Sequence, residues 1–180
     1  MSDNITFKKG NLFESKMQTL TNTVNTVGIM GVGIAKQFKA RFPKMFEDYK
    51  KRCQRNLVVT GIPFVWKSAA ANEGWVLNFP TKQHWRANSR MEWIEQGLDY
   101  LVQRYQNWGI QSLAIPALGC NLGGLRWQEV KPVMEHYLSR LAIPIEIYEP
   151  LPEENARNKR NRPKLKKPRM TPVPKLFDES

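Results

Sequence analysis

Cysteine and histidine are both scarce in this sequence, with two residues of each among 180. Cys53 and Cys120 stand far apart and do not form the closely spaced ligand pair of a zinc site. We therefore expect two reduced thiols, no metal site and no cofactor. A catalytic cysteine is not expected either, because no histidine or acidic residue is linked to Cys120 in a motif that would lower the pKa of its thiol.

Long apolar runs are absent as well. No segment approaches the roughly 18 consecutive apolar residues of a membrane helix, and residues 1–4 lack the basic and apolar regions of a signal peptide. These absences predict a cytoplasmic protein that does not contact membranes. Hydrophobic residues make up 41% of the chain, with six tryptophans and eight phenylalanines, which is enough for the core of one domain. We expect a monomer.

Acidic residues are outnumbered by basic ones, and the formal net charge is +12. Residues 151–180 carry +5 of this charge and residues 1–150 carry +7. Such an excess predicts contact with a polyanion such as nucleic acid, and a merely solubilising surface is the alternative. Residues 151–180 are also rich in proline and poor in apolar residues. We therefore predict a folded domain at 1–150 and a basic, disordered tail at 151–180.

Strand and helix patterns alternate along residues 1–150. Short runs of β-branched and aromatic residues predict strands, and apolar residues at helical spacing predict helices. Ser89 and Glu92 have the spacing of a capping box, which would begin the longest helix at Ser89. The alternation predicts an α/β fold, a mixed and largely parallel sheet with helices on both faces. The predicted strands are 5–8, 19–24, 57–59, 62–66, 75–79, 112–116 and 143–148, and the predicted helices are 30–41, 46–53, 89–108 and 127–141.

A glycine-rich loop follows the second predicted strand. Gly28, Gly31 and Gly33 would let the backbone approach a ligand closely, and the next helix would offer unpaired N–H groups to a phosphate. Their Gly-x-x-Gly-x-Gly spacing differs from the dinucleotide fingerprint, so an ordinary tight turn is the alternative. Asn22 and Asn25 stand at the end of the strand. Their amides would bond either sugar hydroxyls or the backbone of the turn.

A second glycine-rich loop, residues 119–124, follows the buried strand predicted at 112–116. Such a loop can present a run of backbone N–H donors to an anion. In an open α/β sheet, ligands bind outside the carboxyl ends of the strands, where both loops are expected to lie. The two loops together predict a site for a pyrophosphate held between glycine-rich walls.

Lys82 follows the strand predicted at 75–79 and is expected at the same edge of the sheet. Partial burial there would lower the pKa of its amine towards the nucleophilic range, whereas a surface lysine or a passive phosphate contact is the alternative. Trp85 and Arg86 would stack on a base or contact a phosphate of nucleic acid. His84 would be an acid–base aid, a DNA contact, or a structural or exposed histidine.

Three ordered motifs carry a specific resemblance to a known family: residues 22–28 with 30–35, residues 78–86, and residues 116–120. Together they resemble the macrodomain family, whose members bind ADP-ribose, and most closely its DarG antitoxin branch. The resemblance covers residues 4–150 and implies a three-layer α/β/α fold. It also implies an enzyme, a DNA ADP-ribosyl glycohydrolase that removes ADP-ribose from thymidine bases of single-stranded DNA and reverses a DarT-type toxin. A full DarG carries a toxin-binding domain after the macrodomain.

The resemblance further implies roles for individual residues. Lys82 matches the catalytic lysine of the branch, and Asn11 stands where the family usually has an aspartate that accepts from the adenine amino group. Gly123 stands where protein-directed relatives carry a catalytic aspartate, which agrees with the DNA-directed branch. Met30–Gly33 would lie along the distal ribose and Gly119–Gly123 along the pyrophosphate. The implied ADP-ribose contacts are Asn11, Leu12, Asn22, Asn25, Thr26, Gly28, Met30, Gly31, Val32, Gly33, Thr81, Leu118, Gly119, Cys120, Asn121, Leu122 and Gly123, and the implied DNA contacts are His84, Trp85 and Arg86.

The expected partners are ADP-ribosylated single-stranded DNA and a DarT-like toxin. Other functions stay open: a reader that binds ADP-ribose without catalysis, a hydrolase acting on ADP-ribosylated protein, and a phosphatase acting on ADP-ribose phosphates. Lys82 separates these hypotheses, because a reader has no need for a lysine there and a phosphatase would need a positioned water. As a catalyst, Lys82 would either form a transient Schiff base or act by positioning and charge stabilisation.

Overall fold

The computed structural model describes residues 4–70 and 73–150. The tail predicted at 151–180 therefore lies outside the described residues. In the described part of the chain, no helix combines the length and the hydropathy that a bilayer-spanning segment requires. The strands are Ile5–Lys8 (β1), Thr19–Asn25 (β2), Phe64–Trp66 (β3), Trp75–Lys82 (β4), Leu113–Pro116 (β5) and Ile145–Tyr148 (β6), the α-helices are Gly33–Arg41 (α1), Pro43–Gln54 (α2), Met91–Trp108 (α3) and Trp127–Leu138 (α4), and two short 3-10 helices span Leu12–Glu14 and Asn121–Gly123.

The strands form one sheet in the order β1-β6-β5-β2-β4-β3. Five of them run parallel to one another, and the edge strand β3 pairs antiparallel with β4. The carboxyl ends of five strands therefore share one edge of the sheet. The register sets Asn22 beside Asn78 and, after an irregularity at Val24, sets Asn25 beside Lys82. The loop that follows β2 consequently starts next to Lys82.

Alternating side chains give the sheet two apolar faces. On one face Leu77, Leu113 and Ile145 belong to a core that also includes the buried stripes of α3 and α4. On the other face Leu20 and Val76 belong to a core with α1 and α2. A central sheet covered by helices on both faces is the predicted three-layer α/β/α architecture, which is confirmed together with its largely parallel sheet.

Several element boundaries differ from the predicted ones. Residues 57–59 form no strand, because their backbone bonds close turns: the Leu57 N–H donates to the Arg52 carbonyl at 2.9 Å. α1 begins at Gly33 instead of residue 30, since Val32 is extended with φ −142° and ψ 166°. α2 begins earlier than predicted, at its proline, which suits the first helical position. α4 ends at Leu138 instead of residue 141, and β6 begins at Ile145 instead of residue 143.

Ser89 does not begin α3, so the capping-box prediction is wrong. The N-cap residue is Arg90, which makes no side-chain capping bond, and the helix starts at Met91. The Ser89 N–H donates instead to the Gly123 carbonyl at 2.9 Å. A tertiary contact with the loop after β5 therefore overrides the local capping pattern.

Candidate active site at the carboxyl ends of the strands

Three loops meet at the carboxyl edge of the sheet. The first glycine loop, residues 26–32, joins β2 to α1, and the second glycine loop, residues 117–124, follows β5. The third is the segment 83–90 between β4 and α3. Because β2 has β5 and β4 as its two neighbours in the sheet, the first glycine loop is flanked by the other two.

Direct contacts tie these loops together around Lys82. Thr26 donates to the Gln83 carbonyl from both Oγ1 (2.8 Å) and its backbone N–H (3.3 Å). Lys82 Nζ donates to the carbonyl of Leu122. The Leu122 side chain reaches across to α1, where a Cβ atom at Gly33 would lie 3.2 Å from its Cδ1. The side chain of Lys82 therefore lies between the two glycine loops.

The first glycine loop is held by the side chain of Asn25. Its Nδ2 donates to the Ile29 carbonyl (2.6 Å), and its Oδ1 accepts from the N–H groups of Val27 (3.1 Å) and Ile29 (3.3 Å). The hydroxyl of Tyr49 on α2 lies 2.9 Å from the Asn25 carbonyl and 3.0 Å from Oδ1, and it donates to this pair of acceptors. Of the two roles considered for Asn25, the structure therefore shows the bonding of the turn backbone.

Asn22 supports the same loop from beneath. It is fully buried, and its Nδ2 donates to Oδ1 of Asn78 on β4 (3.2 Å) and contacts Met30 Sδ (3.7 Å). Within residues 4–70 and 73–150, Asn22 Oδ1 and Asn78 Nδ2 have no hydrogen-bond partner. An unpaired buried amide group costs about 1–3 kcal/mol. Proteins break such local rules mostly at functional sites, which agrees with the position of this pair below the loop.

The three glycines of the first motif are not equivalent. Gly28 and Gly33 have φ values of +83° and +58°, in the left-handed region that favours glycine. Gly31 has no such constraint, and the nearest neighbour of a Cβ atom there would be Ile29 Cγ2 at 3.8 Å. Val32, the N-cap of α1, provides no side-chain cap. An anion can therefore take the place of a cap at the first N–H groups of α1.

The second glycine loop packs tightly against Ser89. A Cβ atom at Gly119, where φ is +66°, would lie 2.7 Å from Leu125 Cδ1 and 3.1 Å from Ser89 Cβ. A Cβ atom at Gly123 would lie 2.6 Å from Ser89 Oγ, 3.2 Å from Ser89 Cβ and 3.9 Å from Lys82 Cε. The left-handed backbone favours glycine at Gly119, and a Cβ atom at Gly123 would force the Ser89 side chain to move. Glycine at both positions therefore lets this loop pack closely against Ser89 and Lys82.

Lys82 is half-buried at the last position of β4. Burial lowers the pKa of its amine below that of a lysine in water, as predicted from its place at the strand end. The ladder between β4 and β2 fixes its backbone, and the bond to the Leu122 carbonyl fixes its ammonium group. The result is a positioned amine with an increased tendency to lose its proton.

Burial makes the two cysteine thiols less reactive, whereas it makes the Lys82 amine more reactive. Cys120 is buried, and burial raises the pKa of its thiol to about 12. Burial also raises the pKa of Cys53, which packs beside Gly28. Both are free thiols, in agreement with the prediction, and neither supplies a thiolate at neutral pH.

The remaining predicted ligand residues lie at the strand ends, after β1 and in the two 3-10 helices. Thr81 and Leu118 are buried next to the two strand ends. Asn11 is exposed after β1, where its Oδ1 accepts from the Phe13 N–H (3.1 Å) and caps a short 3-10 helix. Phe13 packs on Phe38 of α1 with ring centroids 4.7 Å apart. This contact joins the predicted adenine end of the site to the helix that starts at the first glycine loop. The other predicted residues, Leu12, Asn121 and Leu122, lie in the two 3-10 helices.

His84, Trp85 and Arg86 form one exposed cluster in the segment after β4. The His84 and Trp85 rings are stacked with centroids 5.4 Å apart, and the Arg86 guanidinium lies 4.3 Å from the Trp85 ring centroid. His84 Nδ1 accepts from the Arg86 N–H at 3.2 Å. The bond from Thr26 to Gln83 places this cluster beside the first glycine loop.

Sequence reasoning missed two residues that shape the site. Tyr49 follows Met45 and precedes Cys53 at helical spacing, a pattern that indicates only a core position, and its bonds to Asn25 depend on the packing of α2. Ser89 resembled a helix cap, and its true role depends on the loop after β5. Ser89 Oγ is buried and has no hydrogen-bond partner among the described residues. No sequence signal distinguishes either role.

The Tyr49 hydroxyl provides a test of how the first glycine loop is held. We expect Tyr49→Phe to lower the free energy of unfolding by about 1–2 kcal/mol, because two acceptors on Asn25 lose a buried donor. ADP-ribose affinity should weaken several-fold as the turn loosens. Denaturant titration and calorimetry measure the two effects, with Tyr100→Phe on α3 as the control. An unchanged affinity would show that the turn keeps its shape without Tyr49.

Gly123 provides a test of the packing against Ser89. We expect Gly123→Ala to lower the free energy of unfolding by about 1–3 kcal/mol, because the new Cβ would overlap Ser89 Oγ. The double variant Gly123→Ala/Ser89→Ala should recover part of this loss. Gly31→Ala, where the space is open, is the matched control. If Gly123→Ala is as stable as the parent in chemical denaturation, the Ser89 side chain can move aside and the loop has room for a methyl group.

Comparison with known proteins agrees with this geometry. The Macro domain family matches residues 21–134, which contain both glycine loops and Lys82. The chain is 44% identical over 169 residues to the DNA ADP-ribosyl glycohydrolase of Thermus aquaticus, covering 93% of this chain and 46% of that protein. It is 40% identical over 167 residues to a DNA ADP-ribosyl transferase-DNA ADP-ribosyl glycohydrolase fusion protein of Thermosipho africanus, covering 84% and 43%. The chain thus spans less than half the length of these relatives.

Among solved structures, the macrodomain of Mycobacterium tuberculosis DarG matches with a TM-score of 0.79 and 40% sequence identity. That match covers 82% of this chain and 98% of the other. Sequence and structure therefore agree over nearly the whole of an isolated macrodomain. The chain belongs to the macrodomain family, and its similarity is to the macrodomains of DarG proteins.

Proposed function

We propose that this macrodomain hydrolyses the bond between ADP-ribose and thymine bases of single-stranded DNA, with Lys82 as the catalytic residue. The observation that carries this proposal is the half-buried amine held between two glycine loops. A neutral amine at this place can act as a nucleophile, a role that a site for binding alone does not need. The name of the Thermus aquaticus relative, DNA ADP-ribosyl glycohydrolase, supports the same activity.

ADP-ribose fits along the edge where the loops meet. In the proposed pose the pyrophosphate bonds the backbone of the second glycine loop and the uncapped N–H groups at the start of α1. The distal ribose lies along Met30–Gly33, and adenine lies towards Asn11. The anomeric carbon then faces Lys82. The open space around Gly31 supports this pose, because a ligand can approach the backbone there.

The chemistry is the replacement of a thymine bond by a bond to water. In the covalent route, the neutral Lys82 amine attacks the anomeric carbon as the bond to thymine breaks, and the thymine leaves with the proton that the attacking nitrogen gives up. The ribose ring then opens to form a Schiff base, which water hydrolyses to free both the amine and ADP-ribose. In the electrostatic route, the ammonium group only orients the ligand and stabilises charge. The lowered pKa of Lys82 favours the covalent route.

The identity of residue 123 supports DNA over protein as the substrate. The resemblance to the macrodomain family implies that protein-directed members carry a catalytic aspartate at this position, where this chain has glycine. Gly123 supplies no carboxylate, and it packs against Ser89 close to Lys82. Lys82 is therefore the catalytic group of the proposed mechanism.

The two routes predict opposite pH dependence. Because burial lowers the pKa of Lys82, the neutral amine becomes populated at lower pH than for a lysine in water. We expect the rate of ADP-ribose release under saturating substrate to rise with pH through this lowered pKa and then to level off. The electrostatic route instead predicts a fall over the same range. Lys82→Arg, which keeps the charge but supplies no nucleophile, should be inactive at every pH if the covalent route holds.

The exposed cluster of His84, Trp85 and Arg86 is proposed to hold the DNA next to the modified base. Trp85 is 39% exposed, with the His84 ring stacked against it and the Arg86 guanidinium over its ring, and we propose that an unpaired base stacks on Trp85 in place of the guanidinium. Arg86 can reach a phosphate from the same place.

A DarT-like toxin is proposed as a partner, since the Thermosipho africanus relative joins transferase and glycohydrolase in one chain. We also propose a macrodomain boundary at residue 150, a cytoplasmic location and a monomeric state.

The decisive experiment presents two substrates in parallel. One is an oligonucleotide ADP-ribosylated on thymine, and the other is an ADP-ribosylated protein. Release of ADP-ribose, followed by chromatography, is expected from the oligonucleotide alone. Release from protein alone would establish the alternative hydrolase. Binding of ADP-ribose without release from either substrate would establish a reader.

A further inference from the structure

The positive charge of residues 1–150 is concentrated in one layer. Residues 33–55, which contain α1 and α2, hold eight Lys/Arg against two Asp/Glu, a net charge of +6. Residues 1–32 and 56–150 together hold eleven against ten. On the opposite layer, residues 90–109 and 126–141, which contain α3 and α4, hold five basic residues against five acidic ones. One face of the domain is therefore basic, and the opposite face has no net charge.

The basic side chains of the α1–α2 layer point to solvent. Seven of the eight are exposed, and the eighth, Arg52, is ion-paired with Asp48 at 2.7 Å. Lys44 and Lys51 of α2 and the C-cap residue Arg55 are spaced seven and four residues apart, which places them on one side of the helix. Glu47 and Asp48 lie on the same side, and Asp48 is the partner of Arg52. The buried stripe of α2 is the other side. The seven exposed residues are Lys36, Lys39, Arg41, Lys44, Lys50, Lys51 and Arg55.

This basic face is continuous with the site. On α2, Lys50 lies against the first glycine loop, where a Cβ atom at Gly28 would be 3.8 Å from its Cγ. From Gly28 the loop runs back to Thr26, which bonds Gln83. Trp85 and its cluster follow directly. A chain of contacts therefore leads from α2 past the mouth of the site to the exposed tryptophan.

We propose that the α1–α2 face is the binding surface for the DNA strand that flanks the modified base. This inference rests on the function proposed above and names the path of the substrate at that site. The phosphates of the strand pair with the lysines and arginines of α2, while an unpaired base stacks on Trp85. The α3–α4 face has no net charge and attracts the strand less, so the charge asymmetry orients the substrate. A single strand fits because a stacking platform requires an unpaired base.

The test compares two triple variants of the full chain that lose the same charge. The face variant is Lys44→Gln/Lys51→Gln/Arg55→Gln, and the control variant is Lys67→Gln/Arg104→Gln/Arg140→Gln, at exposed positions outside α1 and α2. The probe is an unmodified, labelled 12-nucleotide single-stranded DNA, titrated at several salt concentrations. A duplex of the same sequence is titrated beside it. ADP-ribose affinity is measured by calorimetry on every variant, as a check that the pocket and the fold are intact.

The face variant is expected to bind the single strand roughly tenfold more weakly at low salt, and its slope of log affinity against log salt should shrink by about 2. The control variant should stay within twofold of the parent, and ADP-ribose affinity should not change in either. Equal losses in both variants, no loss in the face variant, or preferential binding of the duplex would overturn the proposal. Because the DNA is unmodified, this outcome is independent of catalysis. Failure of the proposed function would appear separately, as no ADP-ribose release from a modified dinucleotide by the parent.

Discussion

Replacing Lys82 with alanine is expected to slow the release of ADP-ribose from modified DNA by more than about a hundredfold. The variant loses the one amine that lies between the two glycine loops in the described structure. ADP-ribose affinity should change only a few-fold, because the proposed ligand contacts come from the loop backbones. Single-turnover release measures the first quantity and calorimetry the second.

A matched control separates the role of Lys82 from a general loss of charge. Lys67→Ala removes an exposed lysine that lies over the Trp75 ring, after β3, and should leave the rate unchanged. Lys82→Ala should also unfold at nearly the parental denaturant concentration, since the lysine is only half-buried. A variant that is folded and releases ADP-ribose at the parental rate would exclude the lysine mechanism in both its forms.

The second large effect is expected at Gly31. Gly31→Glu should abolish ADP-ribose binding, because its side chain would enter the space proposed for the ribose and its carboxylate would repel the pyrophosphate. The fold should survive, since a Cβ atom there meets no neighbour closer than 3.8 Å and φ is not in the left-handed region. Calorimetry and a melting curve, recorded on the same preparation, measure both outcomes. A parental affinity would show that the first glycine loop is only a turn.

Gly119 looks equivalent in the sequence, but the structure separates it from Gly31. A side chain at Gly119 would lie 2.7 Å from Leu125 and 3.1 Å from Ile94, in a left-handed backbone conformation. A loss of binding in Gly119→Glu would therefore report damage to the fold as well as to the ligand site. Gly31 is the position at which the two effects can be measured apart.

Much of the fold could be predicted because its signals are local. Period-two and helical apolar patterns locate the elements, and their alternation predicts a largely parallel sheet. The prediction failed where a tertiary contact competes with a local pattern. Ser89 has the sequence of a helix cap, yet it packs on the second glycine loop. Residues 57–59 have the composition of a strand, yet their backbone bonds close turns that lead into β3.

The site shows the same division. Strand ends, glycine spacing and the place of Lys82 in the sequence were enough to predict which loops meet, because parallel strands end at one edge. The internal bonding of those loops was not predictable. Asn25 was equally suited to a sugar or to a turn, and only the bonds of its amide to Val27 and Ile29 show that the turn uses it. Tyr49, placed by the packing of α2, then donates to the Asn25 oxygens.

The sequence by itself determined the family, the layered fold, the glycine loops and the candidate lysine, since each depends on residues near one another in the chain. Only the tertiary structure decided how buried Lys82 is, which glycines have room for a side chain, and that the positive charge is concentrated on one face of the sheet. These properties depend on distances between segments remote in sequence. Such distances are set by the packing of helices on the two sides of the sheet, and no local pattern records them.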